Sequence, residues 1–362
     1  MFDDLYRNRR VLITGHTGFK GSWLGFWLEK LSAELCGVSL PPEGTPNHWA
    51  LLNPQYRSEF CDIRDAEKLE AIFSDFRPEA VFHLAAQPLV RRSYRAPAET
   101  FAVNVVGTAN VLEAVRKCGS VRAVVVVTSD KCYENRESQK PYREDDPMGG
   151  YDPYSASKGC AELVVSSFRR SFFPPADHGV KHNTLIASGR AGNVLGGGDW
   201  AEDRLVPDVM RAAAKGETAL IRNPASVRPW QHVLESLSGY LALGAGLLAG
   251  EARFADGWNF GPSDGAAVTV GEAAAALRSE WPEIKLGSSV PTEAPHEAKL
   301  LKLDCSKAER ELGWHGVWSS TDCFRRTARW YRDFYRHGKI DTAEDLEEYL
   351  NAARKAGLAW TK

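Results

Sequence analysis

A doubly wound α/β fold built on a parallel sheet is predicted by three features of the chain. Short β-branched runs recur along its first half, helical patterns separate them, and a glycine-rich turn follows the first run directly. The runs lie at residues 11–14, 34–40, 80–85, 123–128 and 184–187, rich in Val, Ile and Leu with little polar alternation. Such runs suit strands buried on both faces, and the lengths between them leave room for crossover helices.

At 362 residues the chain can hold one large domain and a smaller lobe. Residues 1–189, with a segment returning at about 231–260, are expected to form the larger domain. Residues 190–230 and 261–362, where loops dense in Gly, Pro, Arg and Trp give way to charged helices, are expected to form a sequence-discontinuous α/β lobe around a ligand. A helix is expected from Pro207 and another over 231–248.

The first strand runs into Gly15, Gly18 and Gly21, and a helix then buries Trp23, Leu24, Trp27 and Leu28. Glycines allow the tight turn and the close approach of backbone to a pyrophosphate, while the helix start offers free N–H groups and a favourable dipole. Gly15, Thr17, Gly18, Phe19 and Gly21 are therefore candidate dinucleotide contacts in a Rossmann-type fold. The glycine spacing resembles the TGxxGxxG loop of the extended short-chain dehydrogenase/reductase superfamily. That resemblance implies an adenine contact at Asp62 and Ile63, and a turn under the cofactor at Leu84, Ala85 and Ala86, followed by Gln87 toward the substrate. The second strand ends at Ser39 and Leu40, with neither an acid for a ribose hydroxyl nor an Arg for a 2'-phosphate; NAD is the expected cofactor.

Tyr154 and Lys158 share a helical face, and the lysine charge would lower the phenol's pKa for proton transfer at an alcohol that loses hydride. This pairing is weak on its own, since eleven tyrosines give about half a chance match per chain. Tyr335 and Lys339 form such a match, but only Tyr154 follows the strand 123–128 at the distance expected of a helix beside the cofactor.

Ser129, Asp130 and Lys131 follow that strand. Within the superfamily the segment resembles that of nucleotide sugar 4,6-dehydratases, which add an acid and a base to the hydride-transfer set. The resemblance implies that Ser129 binds the C4 oxygen, Asp130 acts as acid at C6 and Lys131 as base at C5. Most of these dehydratases have Glu where Lys131 stands. A lysine base must be a neutral amine, which desolvation, nearby cations such as Lys158, or a proton shared with Asp130 would favour.

Residues 15–23 (GHTGFKGSW), 83–90 (HLAAQPLV), 128–135 (TSDKCYEN), 149–158 (GGYDPYSASK), 190–205 (RAGNVLGGGDWAEDRL) and 228–233 (RPWQHV) resemble the branch of that family acting on CDP-glucose, which makes CDP-glucose the expected substrate. Asn193, Arg204, Arg222, Arg228 and His296, with Trp200, are candidate nucleotide or diphosphate contacts, the arginines through forked donors. Asn104 can lie near the site or tie helix to strand, and His83 reads as a satisfied core histidine. Three other readings stay open: a 4,6-dehydratase of another nucleotide sugar; a 4-epimerase, which has no use for Asp130 and Lys131; and a non-catalytic dinucleotide-sensing regulator.

The net charge of −2, from 45 basic and 47 acidic residues, offers no field for nucleic acid or a membrane surface. The start has no apolar leader pattern, and the apolar stretch at 240–249 is too short and glycine-rich to span a bilayer, so a cytoplasmic protein is expected. Seven scattered cysteines without a C-x-x-C pair argue against a disulfide framework and a zinc site, and no metal is expected. Apolar stripes near 104–114 and 161–168 suit pairing in a homo-oligomer, a dimer or tetramer.

Overall fold

The computed structural model describes residues 1–221, 227–262, 267–288 and 301–362. Two of the candidate ligand contacts, Arg222 and His296, lie outside the described residues.

The strands, in chain order, are β1 (Arg10–Thr14), β2 (Glu34–Ser39), β3 (Arg57–Phe60), β4 (Ala80–His83), β5 (Ala123–Val127), β6 (Leu185–Ala191), β7 (Asn193–Leu195), β8 (Thr218–Ile221), β9 (Val227–His232), β10 (Gly257–Phe260), β11 (Ala267–Thr269) and β12 (Lys285–Ser288). Seven of them form one all-parallel sheet in the order β10-β6-β5-β4-β1-β2-β3. Alternate residues feed two apolar layers. Val11, Ile13, Phe82 and Val125 face Trp27 and Leu241 on one side, while Leu12, Val81, Val124 and Val126 face Phe73, Leu112 and Val115 on the other. Helices cover both faces, which is why these strands lack a polar side.

The sheet confirms the doubly wound fold, and it contains two strands that the β-branched pattern does not mark. β3, reading Arg-Ser-Glu-Phe, pairs only with β2 at one edge. β10 pairs only with β6 at the other, anchored by the buried Trp258 and Phe260. Smaller sheets, β11-β9-β7 and β12-β8, form beside the C-terminal ends of the main strands. The first expected helix of the lobe is Leu205–Ala214. The second begins later than its apolar pattern suggests, because Gln231 and His232 complete β9 and His232 Nδ1 accepts from Leu234 N to cap helix Val233–Leu248.

That helix is buried along almost its whole length and receives the C-terminal segment through Glu235. The Glu235 carboxylate accepts from Val317 N (3.0 Å), Trp318 N (2.8 Å) and the Tyr349 hydroxyl (2.8 Å). Burial pushes its carboxyl pKa from 4.5 up to about 7 against those donors. None of the seven cysteines is bonded to another, and among the described residues no helix is long and apolar enough to cross a membrane.

A carboxyl whose folded pKa is raised binds its proton more tightly when folded, so its contribution to stability falls as pH rises from the unfolded value to the folded one. For Glu235 the window runs from 4.5 to about 7, and the full loss is on the order of 3 kcal/mol. Glu235→Gln removes this titration. Its melting temperature relative to the unsubstituted protein should rise between about pH 5 and pH 8; a difference that stays constant with pH, in parallel thermal melts, would contradict the assignment.

Candidate active site

The strand order reverses between β1 and β4, and the crevice at the C-terminal ends of a doubly wound sheet opens at such a point. There Gly15 adopts φ +77°, and a Cβ on it would lie 2.7 Å from Ala85 N. A Cβ on Gly21 would lie 2.1 Å from Gly15 O. Glycine alone lets this turn close on its own helix and on the residues after β4. Gly18 caps helix Phe19–Lys30 without a side-chain hydrogen bond, leaving the first N–H groups and the positive end of the dipole to an anion.

The Thr14 hydroxyl bonds His83 Nδ1 (2.6 Å) and accepts from Leu84 N (3.1 Å) and Ala85 N (3.2 Å), which ties β1 to the turn after β4. His83 Nε2 meets Thr108 Oγ1 at 3.0 Å, so this histidine is the satisfied core residue expected. Thr17 Oγ1 bonds Ser39 Oγ (2.8 Å) at the end of β2. Asp62 is held in a fork by Arg64 (2.6 and 3.0 Å), and Ile63 packs where a Cβ on Gly107 would stand. The glycine cradle, the uncapped helix start and the half-buried Leu84, Ala85 and Ala86 fit a dinucleotide.

Beside this cradle β5 delivers Ser129, Asp130 and Lys131, the last two opening a single 3-10 turn. Ser129 Oγ donates to Asp130 Oδ1 (2.9 Å) and accepts from Lys131 N (3.2 Å). Burial raises the Asp130 carboxyl above its ordinary value, opposed by the charge of Lys131, the bond from Ser129 and the charge of Lys20. Tyr154 and Lys158 sit one turn apart on helix Pro153–Ser171, whose N-cap Asp152 accepts from Ser155 N (3.0 Å). Burial pushes the Tyr154 phenol up to about 12, with a bond to Ser129 pulling it down. Burial also draws the Lys158 ammonium down to about 8, opposed first by Glu162. Lys158 Nζ lies 3.4 Å from Val127 O at the end of β5.

Asn104 interrupts its helix in a π-helical stretch, Ala102–Val106. Its amide accepts from Gln87 N (2.8 Å) and donates to Gln87 O (3.1 Å) and Ser157 Oγ (2.8 Å), tying the turn after β4 to the tyrosine helix. The Gln87 side chain donates to Leu89 O and Thr100 Oγ1 and accepts from Leu89 N, so its amide faces inward in this conformation. Arg204 pairs with Asp199 (2.8 Å) and interacts electrostatically with Tyr154. Gly192, adjacent to Asn193, faces Asp130 so closely that a Cβ there would stand 3.0 Å from Oδ2. Arg228 lies on β9, the middle strand of the β11-β9-β7 sheet, half-buried and opposite Val268. Trp200 is packed instead: its indole donates to Tyr335 OH (3.0 Å) among Trp330, Tyr331 and Phe334. That contact also accounts for Tyr335, while Lys339 pairs with Asp341 and Glu344.

Lys20 joins the site without having been singled out from its sequence. Its Nζ lies 3.4 Å from Tyr240 OH, and burial, then Arg204 and Lys158, lower it to about 7 while Asp130 opposes. A lysine at an inward position of the first helical turn was the available signal, hidden inside a motif read for its glycines.

The profile of the family described as GDP-mannose 4,6 dehydratase matches residues 12–327. The CDP-glucose 4,6-dehydratase of Salmonella typhimurium is 48% identical over 97% of this chain and 99% of its own. A dTDP-glucose 4,6-dehydratase of Streptomyces venezuelae, solved with NAD and TYD bound, superimposes with a TM-score of 0.75 at 26% identity, covering 92% of this chain and 99% of that one. An epimerase of Methanothermobacter thermautotrophicus superimposes with a TM-score of 0.79 at 25% identity, covering 92% and 96%. With a glycine cradle at the switch point and Ser129, Asp130, Tyr154 and Lys158 gathered beside it, the chain belongs to the GDP-mannose 4,6 dehydratase family of nucleotide sugar dehydratases.

Proposed function

We propose that this enzyme converts CDP-glucose to CDP-4-dehydro-6-deoxyglucose and water. The observation that carries the reading is Asp130, a buried carboxyl with a raised pKa that Ser129 and Lys131 flank beside Tyr154. Choice of the cytidine nucleotide rests on the near full-length likeness to the Salmonella enzyme. Gly15, Thr17, Gly18, Phe19 and Gly21 would hold the NAD diphosphate, Asp62 and Ile63 its adenine end, and Leu84, Ala85, Ala86 and Lys158 the nicotinamide half. When bound, NAD would supply a hydride acceptor for C4 and a hydride donor for C6.

Ser129 donates a hydrogen bond to the C4 oxygen, and Tyr154 takes that hydroxyl's proton as its phenolate. The charge of Lys158 favours the phenolate against the burial that disfavours it. With C4 a ketone, the C5 proton is acidic. Lys131 removes it, for which it must enter the step as the free amine, while Asp130 protonates the C6 hydroxyl that leaves as water. Lys131 would return a proton to C5 as C6 is reduced. Tyr154 has gained one proton and Asp130 has lost one, so one transfer between them restores the site, with no net redox change. Arg204, Arg228 and Asn193 would bind the nucleotide diphosphate.

We also infer a homodimer formed by the helices that carry Tyr154 and Asn104. Phe101, Val106 and Leu163 stand 36, 53 and 60% exposed there, an apolar face that none of the described residues covers.

Three outcomes are expected. CDP-glucose incubated with the protein and NAD in deuterated water should give a product lacking one water and carrying deuterium at C5 by mass spectrometry. An unchanged substrate would sink the reading. Lys131→Ala should lose C5 exchange by about 100-fold or more while single-turnover C4 oxidation persists, and undiminished exchange would remove Lys131 from its role. Leu163→Glu should elute as a monomer in light-scattering chromatography where the unsubstituted protein elutes as a dimer; a dimeric variant would move the interface elsewhere.

A further inference from the structure

Glu162 is buried one helical turn beyond Lys158, on the face that also carries Tyr154. Its carboxylate is saturated. Oε1 accepts from the Thr128 hydroxyl (2.5 Å), and Oε2 accepts from Ser188 Oγ (2.8 Å) and Arg190 (2.8 Å). Arg190 is itself buried and donates to Tyr133 OH (2.7 Å) and Glu144 O (3.1 Å), and Tyr133 OH donates on to Asn259 Oδ1 (2.7 Å). One ionic cluster thus joins the tyrosine helix, the end of β5, the body of β6 and the seventh strand of the sheet.

Three hydroxyl and guanidinium donors hold Glu162 ionised despite its burial, which alone would raise its pKa. An isolated structural ion pair has no need to stand within one turn of a lysine whose charge the reaction uses. Thr128 immediately precedes Ser129, so its bond to Glu162 also fixes the strand end from which the proton-transfer groups project.

We propose that Glu162 is a positioning residue of the dehydratase: locked by Thr128, Ser188 and Arg190, it supplies the buried negative charge that keeps Lys158 an ammonium beside Tyr154. The inference rests on the reading above, in which Lys158 works as a cation. The groups facing Lys158 are Glu162 and Tyr154 on its own helix, Cys132 after β5, His83 on β4 and Lys20 on the first helix. Glu162 and Cys132 favour its charge, whereas Lys20 repels it. Arg190 acts through Glu162 by keeping that carboxylate ionised against its burial.

The signs follow. Activity should fall at alkaline pH as Lys158, which burial draws down to about 8, loses its proton. Glu162→Gln removes the favourable charge and leaves Arg190 uncompensated, so the alkaline limb of kcat should move down by about one pH unit. Arg190→Gln removes the charge that does most to keep Glu162 ionised, so it should move the limb down as well. Glu162→Asp keeps the charge and should leave the limb close to its original place. A role confined to packing would lower activity in all three without displacing the limb in Glu162→Gln or Arg190→Gln.

The test is kcat for CDP-glucose from about pH 6 to about pH 10, on protein shown folded by circular dichroism at each pH. Should Arg190→Gln not fold, the contrast between Glu162→Gln and Glu162→Asp decides alone. A second readout does not need turnover: 13C NMR of protein labelled at lysine Cε, with Lys158→Arg assigning the resonance. A lowered Lys158 titration in Glu162→Gln supports the proposal, and an unmoved one overturns it. Absence of turnover by the unsubstituted enzyme would instead overturn the dehydratase reading, leaving the NMR result to judge Glu162.

Discussion

Burial of the parallel sheet on both faces is the constraint on which the rest of the molecule depends. With Val11 and Ile13 committed to one apolar layer and Leu12 to the other, β1 has no side on which to present chemistry. The same holds for β4 and β5. Polar function is left to the residues just past the strand ends, where the backbone turns and side chains are free of the layers. Gly15 after β1, Leu84 to Ala86 after β4 and Ser129 to Lys131 after β5 stand side by side because their strands do. A one-residue slip of any central strand would move its functional turn out of line and reverse both layers.

This constraint decides how much was legible. Strands buried on both sides had to be apolar throughout, so β1, β2, β4, β5 and β6 stand out in the sequence, and so does the glycine turn that must follow β1. β3 and β10 were missed because edge strands pair on one side only and need less β-branched surface; β3 even carries Arg57 and Glu59 as an exposed ion pair. In the site, residues with a fixed offset from a strand or from one another, such as Tyr154 and Lys158, were readable. Lys20 and Glu162 were not, since their importance lies in what approaches them from distant segments: Tyr240 in one case, Thr128, Ser188 and Arg190 in the other. Trp200 shows the opposite failure, an aromatic in a ligand-like loop that the C-terminal helix had already claimed.

The electrostatics of the site is a balance between burial and a few compensating charges. Burial raises Asp130 and Tyr154 and lowers Lys20 and Lys158, so each group is pushed toward its neutral form. For Asp130 that direction suits the acid role proposed for it, in which it would hold a proton until the C6 hydroxyl leaves. For Tyr154 it is adverse, because a base must be able to lose its proton. The remedy is a nearby cation, and a buried cation requires an anion of its own. Lys158 and Glu162 form such a chain, with Arg190 and two hydroxyls keeping the final carboxylate charged.

The same frame explains how one fold serves both dehydration and epimerisation, as its likeness to an epimerase implies. In the proposed reaction, cradle, tyrosine and lysine serve to make a ketone at C4, and that much would serve either reaction. Elimination adds a demand: a proton donor and a proton acceptor must reach neighbouring carbons without quenching one another. Two adjacent residues in an extended strand would point to opposite faces. In this chain Asp130 and Lys131 open a 3-10 turn, capped by the Ser129 hydroxyl that accepts from Lys131 N, which rotates successive side chains by roughly 120° around the turn. The cap therefore has a structural part to play beside the substrate contact proposed for Ser129. With β5 ended at Val127 and the turn begun at Asp130, the proposed acid and base leave adjacent positions without the opposite facing that an extended strand would impose on them.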